Sequence, residues 1–586
     1  FGYVKVLEEN DGISKQMDIF VPPEDNVKIQ RIVLTNNSKV NKDITIEYKV
    51  EPVLGVARET NMQYIVSKKK DDVMYFKNPY SVDFSKNIVY MTVASKSNNI
   101  EKTLSNEDYS ISVSVNLAPH ESVDFSILIG CSDIGEDDIN KTVCKYKNYD
   151  NVSLEYSKTI DFWRKKVVKN FKLENEYLEI MANGWLLYQT IVCRLFARSG
   201  FYQSGGAIGY RDQLQDTMAL ISTWPEKTRK QIILHSSKQF EKGDVLHWWH
   251  EYNNAGIRTY FSDDYLWLPY VLSEYIKKTQ DVSILDVETT YLQDKDMGQK
   301  REVYDIYYPS DKKATVYEHA KKTILYGLSR INEKNGLLDI GDGDWNDGFS
   351  NIRGQSVWLT FFMMDILDRF KDLAKIKNDD EMEKICINKR HILKHNVLEN
   401  AWDGSHFVRA FFENGDVLGS SKNTECKIDL ISQAWAVISM KEYKDVKNEL
   451  ELCIKSAEKY LVDKEHGIVK LLYPAFDHPK NDPGYIKAYV PGTRENGGQY
   501  THAATWLAKA YFDMGDYKKG TEILEMICPI SHSDTKQKAD IYMVEPYVIA
   551  ADIYSNPEHI GRGGWTWYTG SAAWMYKVIE DYLSKK

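Results

Sequence analysis

The first part of the chain, residues 1–150, alternates apolar and polar positions in short runs. Val, Ile, Tyr and Thr dominate stretches such as Ile29–Leu34, Ile44–Val50 and Ile111–Leu117. Polar clusters such as Asn36–Asn41 separate these runs, as turns separate strands. A period of two with one polar side is typical of antiparallel strands that bury one face and leave the other in solvent. We therefore predict an N-terminal antiparallel β-sandwich over 1–150.

The spacing of apolar residues changes near Ser153 and stays helical from there onward. Ser153–Val168 has the pattern of an amphipathic helix, so 151–175 is predicted to be a helical linker. From residue 176 to 586, helical segments alternate with long loops rich in Gly, Trp and His. Such loops in a compact domain are usually functional. This arrangement suits an α/α toroid, although periodicity alone does not prove that the ring closes. The chain as a whole is predicted to be multidomain, with both α and β structure.

Composition and charge exclude several classes of protein. A formal net charge of −10 without a basic field argues against a nucleic-acid partner. No apolar run approaches the roughly 18 residues that a membrane helix needs, so no membrane partner is expected. Seven scattered cysteines without a C-x-x-C pair fit reduced, mostly buried thiols in a cytoplasmic protein. Aromatic residues make up 12% of the chain, which fits sugar-binding surfaces and core packing equally well.

The densest chemical motif is Ile340–Gly348, which contains three aspartates, a tryptophan and three glycines. Acid catalysis of glycosidic cleavage needs a carboxyl group whose pKa is raised, and a neighbouring Trp can provide a dry wall and a sugar platform. A calcium loop is the alternative, but Trp345 and Asn346 break the ligand spacing of an EF-hand. A simple acidic turn stays open as a second alternative. We favour a catalytic acid in this loop.

A second motif, Arg198–Asp216, is rich in glycine, which lets backbone approach a ligand closely. Its glycine spacing does not form the G-x-G-x-x-G nucleotide motif. Arg211 and Asp212 stand at a predicted helix start, where they can bind sugar hydroxyls or simply cap the helix. These two residues are therefore candidate substrate ligands.

Two further motifs, Arg494–His502 and Gly561–Ser571, offer a cation, an imidazole, hydroxyls and glycine backbone N–H groups. With Arg198, these are the parts from which a phosphate or sulfate site is built, although a lone His is more often structural. A fifth motif contains His247 and His250. Because it lacks the H-E-x-x-H spacing of a zinc site, no metal is predicted.

Taken in order, the five motifs resemble glycoside hydrolase family 94, the inverting β-glycoside phosphorylases for cellobiose, cellodextrin, chitobiose and 1,2-β-oligoglucan. They are also similar to the phosphorylase-like region of cyclic β-1,2-glucan synthases. The resemblance covers the chain from its strand-rich start to its last helix, and implies a β-sandwich, a helical linker and an (α/α)6 barrel. Members usually carry more β structure at both ends. Because this chain begins at Phe1, we expect an incomplete sandwich and a fragment of a larger protein.

The resemblance implies a role for each matching residue. Asp347 matches the single general acid, Trp345 a wall of the donor-sugar site, and Asp212 a donor-sugar ligand. Arg211 joins the substrate ligands because it is adjacent to Asp212, and a further sugar-binding Arg of the cellobiose enzymes is absent. The residues that match the phosphate ligands are Arg198, His502, Thr569 and Gly570. The residues that match a basic and an acidic group on the acceptor side are Arg494 and Glu495.

The implied reaction is phosphorolysis of β-linked gluco-oligosaccharides to α-glucose 1-phosphate and a shortened acceptor. Its partners are a β-glucan oligosaccharide and inorganic phosphate, the co-substrate, with no cofactor. An inverting hydrolase of similar fold is the first rival, with Glu495 and Glu545 as candidate bases, because such enzymes need two carboxylates. A non-catalytic carbohydrate-binding fragment is the second. Linkage and chain-length preference are not readable, and the resemblance is compatible with a homodimer.

Overall fold

The structure is a computed structural model that describes residues 1–55, 57–97, 99–196, 206–298 and 300–584. By its internal contacts, the chain divides into two compact units, Phe1–Val168 and Lys169–Lys586. The boundary falls inside the stretch 151–175 that was predicted to be a linker. The helix in that stretch, Asp150–Val167, belongs to the first unit.

In its described residues, the first unit contains two antiparallel sheets and three α-helices. Its strands are β1 Tyr3–Asn10, β2 Ile13–Phe20, β3 Val27–Asn36, β4 Lys42–Lys49, β5 Val66–Lys70, β6 Val73–Lys77, β7 Ile88–Ser95, β8 Glu101–Ser105, β9 Ser110–Leu117 and β10 Ser122–Ser132. Its helices are α1 Arg58–Asn61, α2 Glu136–Lys147 and α3 Asp150–Val167. The large sheet has the order β1-β2-β3-β10-β7-β6-β5, and the small sheet has the order β4-β9-β8.

The core of the first unit lies between its two sheets. Strand β9 buries alternate residues, including Val113 and Val115, against Phe125 and Ile127 of β10. The opposite face of the large sheet packs on the two helices α2 and α3 through residues such as Val143. Central strands β7 and β10 are therefore buried on both faces, which explains their nearly continuous apolar sequence. The predicted N-terminal sandwich is confirmed.

The second unit consists of helices joined by loops and short strands. Its helices are α4 Glu176–Ile180, α5 Leu186–Thr190, α6 Tyr210–Thr217, α7 Pro225–Ser236, α8 Trp267–Thr279, α9 Val316–Leu328, α10 Val357–Ile376, α11 Asp380–Asn400, α12 Leu430–Met440, α13 Lys447–Leu461, α14 Thr501–Asp513, α15 Tyr517–Met526, α16 Lys536–Tyr542 and α17 Gly570–Tyr582.

Short strands cluster in the loops of this unit. They are β11 Ile208–Gly209, β12 Leu246–Trp249, β13 Ala255–Thr259, β14 Glu288–Leu292, β15 Glu302–Ile306, β16 Pro309–Thr315, β17 Leu338–Asp339, β18 Arg353–Ser356, β19 Ala410–Phe412, β20 Val417–Leu418, β21 Ile428–Asp429, β22 Val462–Asp463, β23 Ile468–Val469, β24 Leu472–Tyr473, β25 Gln499–Tyr500 and β26 Asp552–Ile553. They join in pairs or small antiparallel sheets that shape the loops at the mouth of the barrel.

Within the described ranges, the helices form an inner and an outer layer. The inner helices pack side by side in a closed ring, in the order α6, α8, α10, α12, α14 and α17. Helix α12 is buried at every position, as expected for a helix that is apolar all round. The outer helices, each packed against inner neighbours, are α5, α7, α9, α11, α13 and α15. This double ring confirms the predicted (α/α)6 barrel.

Tryptophans of the inner helices fill the centre of the barrel. Those that are at most 1% exposed and belong to successive ring helices are Trp267, Trp358, Trp435, Trp506 and Trp574. The ring centroids of Trp435 and Trp506 lie 5.2 Å apart, and those of Trp506 and Trp574 lie 5.7 Å apart. For these residues, core packing rather than sugar binding accounts for the high aromatic content of the sequence.

Two more global features are the polarity of the helices and the state of the cysteines. No helix in the described part of the chain is long and apolar enough to span a bilayer. The cysteines are free, and most of them are buried. Burial raises the pKa of Cys193 and of Cys386 to about 12, so both remain unreactive thiols at neutral pH.

Candidate active site

The N-terminal ends of three ring helices line a cavity of about 330 Å³ in the second unit. Asp212 lies in the first turn of α6, His502 in the first turn of α14, and Gly570 opens α17. All three residues line the cavity. Because helix N-termini carry partial positive charge and unpaired backbone N–H groups, their convergence favours an anion here.

The three aspartates of the Ile340–Gly348 loop have different surroundings. The side chain of Asp347 lines the cavity and is 35% exposed. Asp344 is completely buried and accepts a hydrogen bond from Arg409 Nη2 at 2.7 Å. Asp342 lies outside the cavity lining and is ion-paired with an exposed arginine. Asp347 is thus the aspartate of this loop that a substrate in the cavity can reach.

Arg211 connects Asp347 to a group of buried carboxylates. Its Nη2 donates to Asp347, while its Nη1 donates to Asp263 Oδ1 at 2.9 Å and to the carbonyl of Asp344 at 3.0 Å. Burial opposes the charge of Arg211, but Asp263 and Asp347 outweigh it and raise its pKa. Arg211 lines the cavity, as predicted for a substrate ligand. Its contacts show that it also fixes the position of Asp347.

Trp345 packs the Ile340–Gly348 loop against the tryptophans at the centre of the barrel. Its ring centroid lies 4.8 Å from that of Trp506 and 5.0 Å from that of His502, which it meets edge-on at 89°. Trp345 is only 7% exposed, and the exposed part lines the cavity. It therefore forms part of the cavity wall, and its role in holding a donor sugar stays a prediction.

His502 and Gly570 are in close contact. A Cβ atom on Gly570 would lie 2.6 Å from His502 Nδ1, so only glycine fits beside this imidazole. Burial lowers the pKa of His502 to about 3, although the nearby charge of Asp212 opposes this shift. The ring is therefore neutral. Its Nε2 is buried without a hydrogen-bond partner among the described residues.

Thr569, which was predicted to bind phosphate, is buried and does not belong to the cavity lining, because its hydroxyl is occupied by two neighbouring side chains. It donates to Asp216 and accepts a hydrogen bond from Arg194 Nε at 2.9 Å. Arg194 also donates to Asp216 at 2.8 Å and lines the cavity. The hydroxyl of Ser571, the second residue of α17, is buried without a partner in the described structure.

Arg194 and Ser571 are residues that the sequence interpretation missed. Arg194 lies four residues before Arg198 in the sequence, and that spacing was the available signal. Ser571 lies in the motif Gly561–Ser571, from which Thr569 and Gly570 were selected as phosphate ligands instead. Arg198 itself, predicted to bind phosphate, lies outside the described residues.

Asp212 is held in its ionised form by the surrounding cations. Burial raises its pKa, but Arg194 and Arg211 outweigh burial and lower the pKa below the ordinary value. Arg194 Nη2 lies 3.4 Å from Asp212 Oδ1. An ionised carboxylate accepts hydrogen bonds only, which suits the hydroxyl groups of a sugar.

Arg494 and Glu495 form another side of the cavity. The guanidinium of Arg494 stacks over the ring of Trp565 at 3.8 Å, and its Nε lies 3.5 Å from Glu495 Oε2. Burial raises the pKa of Glu495, although Arg494 opposes the rise. Eight predicted residues therefore line one cavity, namely Arg211, Asp212, Trp345, Asp347, Arg494, Glu495, His502 and Gly570.

The two histidines that were considered as zinc ligands have different surroundings in the structure. His247 lines the cavity, whereas His250 is not part of its lining. The described residues hold no group of three His, Cys, Asp or Glu side chains arranged for a metal ion. His247 was not assigned to the site from the sequence, since no local pattern shows which way its side chain points.

Solved structures place the chain in a fold class. A bacterial glucoamylase complexed with acarbose matches with a TM-score of 0.56 at 10% identity, over 100% of this chain and 84% of that one. A putative kojibiose phosphorylase from the human microbiome matches with a TM-score of 0.53 at 10% identity, over 98% and 74%. The likeness concerns the fold alone: a β domain followed by a helical barrel.

Sequence comparison is more specific. The family model of the glycosyl hydrolase 94 superfamily catalytic domain matches residues 162–584, and that of the glycosyl hydrolase 94 supersandwich domain matches residues 1–109. The chain therefore belongs to glycosyl hydrolase family 94 and carries its catalytic domain.

Curated relatives include proteins of different length and named activity. The cyclic β-(1,2)-glucan synthase NdvB of Rhizobium meliloti (strain 1021) is 33% identical over 99% of this chain, which spans 22% of NdvB. The N,N'-diacetylchitobiose phosphorylase of Vibrio proteolyticus is 24% identical over 99% of this chain and 77% of its own length. The solabiose phosphorylase of Paenibacillus borealis is 23% identical over 99% and 76%.

Proposed function

We propose that this chain catalyses the reversible, inverting phosphorolysis of β-glucosidic bonds in gluco-oligosaccharides. The products are α-D-glucose 1-phosphate and a shortened acceptor, and inorganic phosphate is a co-substrate, with no further cofactor. One observation carries the proposal. The carboxyl group of Asp347 lines the same cavity as a cluster that favours an anion. This cluster consists of helix N-termini, Arg194 and the unpartnered Nε2 of His502.

In the proposed reaction, Asp347 donates its proton to the glycosidic oxygen. The bond between that oxygen and C1 breaks, and its electron pair stays with the departing acceptor. A phosphate oxygen forms the new bond at C1 from the opposite face, so the configuration inverts from β to α. Asp212 and Trp345 hold the glucosyl unit, and Arg211 positions the carboxyl group of Asp347.

The proposed phosphate site explains several unpaired groups. Nε2 of His502 and the hydroxyl of Ser571 are buried without partners among the described residues. Leaving such a group unsatisfied costs about 1–3 kcal/mol. A bound phosphate would supply the missing hydrogen-bond partners and remove this cost. Arg194 supplies positive charge beside them, and Thr569 fixes Arg194 through its hydroxyl. The family resemblance adds Arg198 and the backbone N–H of Gly570.

Phosphate also removes the need for a catalytic base. An inverting hydrolase uses a second carboxylate to activate water, whereas phosphate arrives as an anion that is already nucleophilic. The rate enhancement of the phosphorolysis then depends on positioning of the reactants and on charge complementarity in the cavity. This agrees with the Ile340–Gly348 loop, in which Asp347 is the one aspartate that lines the cavity.

The hydrolase alternative is weaker on the residues it needs. Glu545 accepts a hydrogen bond from Trp567 Nε1 at 3.0 Å and does not belong to the cavity lining. Glu495 does line the cavity, but its carboxylate is held by Arg494, whose Nε lies 3.5 Å from Oε2, while burial raises the pKa of Glu495. Glu545 therefore lacks access to the cavity, and Glu495 is already engaged by a cation.

The test is a reverse reaction with α-glucose 1-phosphate and a panel of β-1,2-, β-1,3- and β-1,4-linked acceptors, following released phosphate. We expect release with at least one linkage, together with a lengthened oligosaccharide. The forward reaction is run with and without phosphate. Sugar release that continues unchanged without phosphate, and no glucose 1-phosphate, would establish a hydrolase instead. Binding without turnover in either direction would establish a carbohydrate-binding fragment.

A further inference from the structure

His247 stands at an irregularity in the strand pair β12 and β13. The register between these strands shifts between Leu246 and Trp248, so His247 is the inserted residue. A β-bulge of this kind turns a side chain away from the regular alternation, and bulges recur next to active sites. Here the imidazole of His247 lines the same cavity as Asp212 and Asp347.

The orientation of this imidazole is fixed on two sides. Its Nδ1 lies 2.7 Å from Asp264 Oδ2, and its ring stacks on Phe261 with centroids 4.6 Å apart and an interplanar angle of 10°. Asp264 accepts the Nδ1 proton. Nε2 has no hydrogen-bond partner among the described residues, so it is the nitrogen left for a ligand.

The imidazole of His247 is also charged at neutral pH. Burial opposes protonation, but the charge of Asp264 and the hydrogen bond to it prevail and raise the pKa of His247 to about 9. The other charged or titratable groups of its surroundings are Arg211, Asp212, Asp347 and His502. Because both nitrogens of an imidazolium carry protons, Nε2 is a hydrogen-bond donor.

We propose that His247 binds the donor sugar: its Nε2–H donates a hydrogen bond to one hydroxyl of the glucosyl unit that Asp212 also holds. The inference rests on the proposed function, since it needs a glucosyl unit beside Asp212. It adds a specificity-determining residue to the cavity, from a segment that was considered only for metal binding.

The electrostatic surroundings favour a sugar hydroxyl over phosphate as the partner of His247. Its charge acts on Asp212, and the charge of Asp347 acts on it, so two carboxylates lie near its imidazole. An anion there would meet two carboxylates. The unpartnered groups of the proposed phosphate site, at His502 and Ser571, lie at the N-termini of α14 and α17 instead.

The test compares His247→Gln with His250→Gln. Glutamine keeps polarity but loses the charge and the ring. His250 is a matched control because it lies in the same segment, packs on Trp248 with centroids 5.5 Å apart, and does not line the cavity. Kinetics are measured in the reverse direction with α-glucose 1-phosphate and with each of its monodeoxy analogues. Binding of glucose and of inorganic phosphate is measured separately by ligand-observed NMR.

We expect His247→Gln to lower kcat/KM for α-glucose 1-phosphate by about 10- to 100-fold, the range for a hydrogen bond to a charged group. For one monodeoxy analogue the loss should shrink to about threefold or less, because the partner hydroxyl is already gone. Glucose binding should weaken and phosphate binding should stay within about twofold. His250→Gln should match the parent in all assays.

Equal losses for every analogue, or a parallel loss of phosphate affinity, would overturn the assignment. If His247→Gln does not fold, His247→Asn serves as the second variant, with the same readouts. The proposed function is judged separately, by phosphate release in the parent protein. If the parent binds glucose without turning over glucose 1-phosphate, the function fails while the NMR comparison still decides the role of His247.

Discussion

Arg409, a completely buried residue, donates a hydrogen bond from Nη2 to Asp344 Oδ1 at 2.7 Å. Asp344 lies three residues before Asp347 in the Ile340–Gly348 loop. The same oxygen of Asp344 accepts the backbone N–H of Asn346 at 3.0 Å. This ion pair therefore holds the turn that presents Trp345 and Asp347 to the cavity. The positions of Trp345 and Asp347 in the site therefore depend on Arg409, a buried residue that a substrate does not contact.

Removing Arg409 should destabilise the second unit strongly. We expect Arg409→Met to lower its free energy of unfolding by about 3–5 kcal/mol, because Asp344 would remain as an uncompensated buried charge. Urea unfolding followed by tryptophan fluorescence measures this, since every tryptophan except Trp163 lies in the second unit. Lys447→Met, which removes an exposed partner of Glu451, should cost less than about 0.5 kcal/mol. Equal costs would contradict this view of the loop.

Replacing the proposed acid should abolish chemistry and spare the fold. Asp347→Asn keeps the size of the side chain but cannot donate the proton, so we expect kcat to fall by about 10²- to 10⁴-fold. The thermal midpoint should change little, because Asp347 is partly exposed. Asp342→Asn is the matched control in the same loop and should stay within a few-fold of the parent. Activity retained by Asp347→Asn would remove the acid assignment.

A methyl group at Gly570 should act through His502. In Gly570→Ala the new Cβ would lie 2.6 Å from His502 Nδ1, so the imidazole must shift. We expect KM for phosphate to rise by about tenfold or more, which is about 1.4 kcal/mol, with a smaller change in KM for the oligosaccharide. A double-mutant cycle with His502→Ala checks the route. Additive effects of the two substitutions would mean that Gly570 acts independently of His502.

The ion pair of His247 with Asp264 predicts a pH dependence of stability. The pKa of His247 in the folded protein, about 9, lies above the ordinary value of about 6.5. Its contribution to stability is therefore complete below about pH 6.5 and is lost as the pH rises through 9. Between pH 6.5 and 9.5, the thermal midpoint of the parent should fall more than that of His247→Gln. His250→Gln should follow the parent, and parallel curves for all three would refute the ion pair.

Several features of the protein could be predicted from local sequence. The period of two in stretches such as Ile111–Leu117 reports strands that bury one face, and the structure confirms the sandwich. The helical period from residue 176 onward reports the barrel helices in the same way. Asp347 could be selected from three aspartates because its motif resembles that of a known family. These signals are local, so they are readable without the fold.

Other features depend on which distant segments meet. Arg211, Asp347 and His502 are far apart in the chain, and only closure of the helical ring brings their loops to one end of the barrel. The aromatic composition could not separate a wall such as Trp345 from core residues such as Trp435, because both need the same apolar surface.

The sequence by itself therefore determined the two kinds of domain and the family, and it singled out the Ile340–Gly348 loop as the candidate for catalysis, since periodicity and motifs are properties of neighbouring residues. The tertiary structure alone decided that Arg194 supports Thr569 and that a strand irregularity turns His247 into the cavity. The physical reason is that hydrogen bonds and charge interactions act over a few ångströms in space. Which residues come within that distance is set by packing of the whole ring.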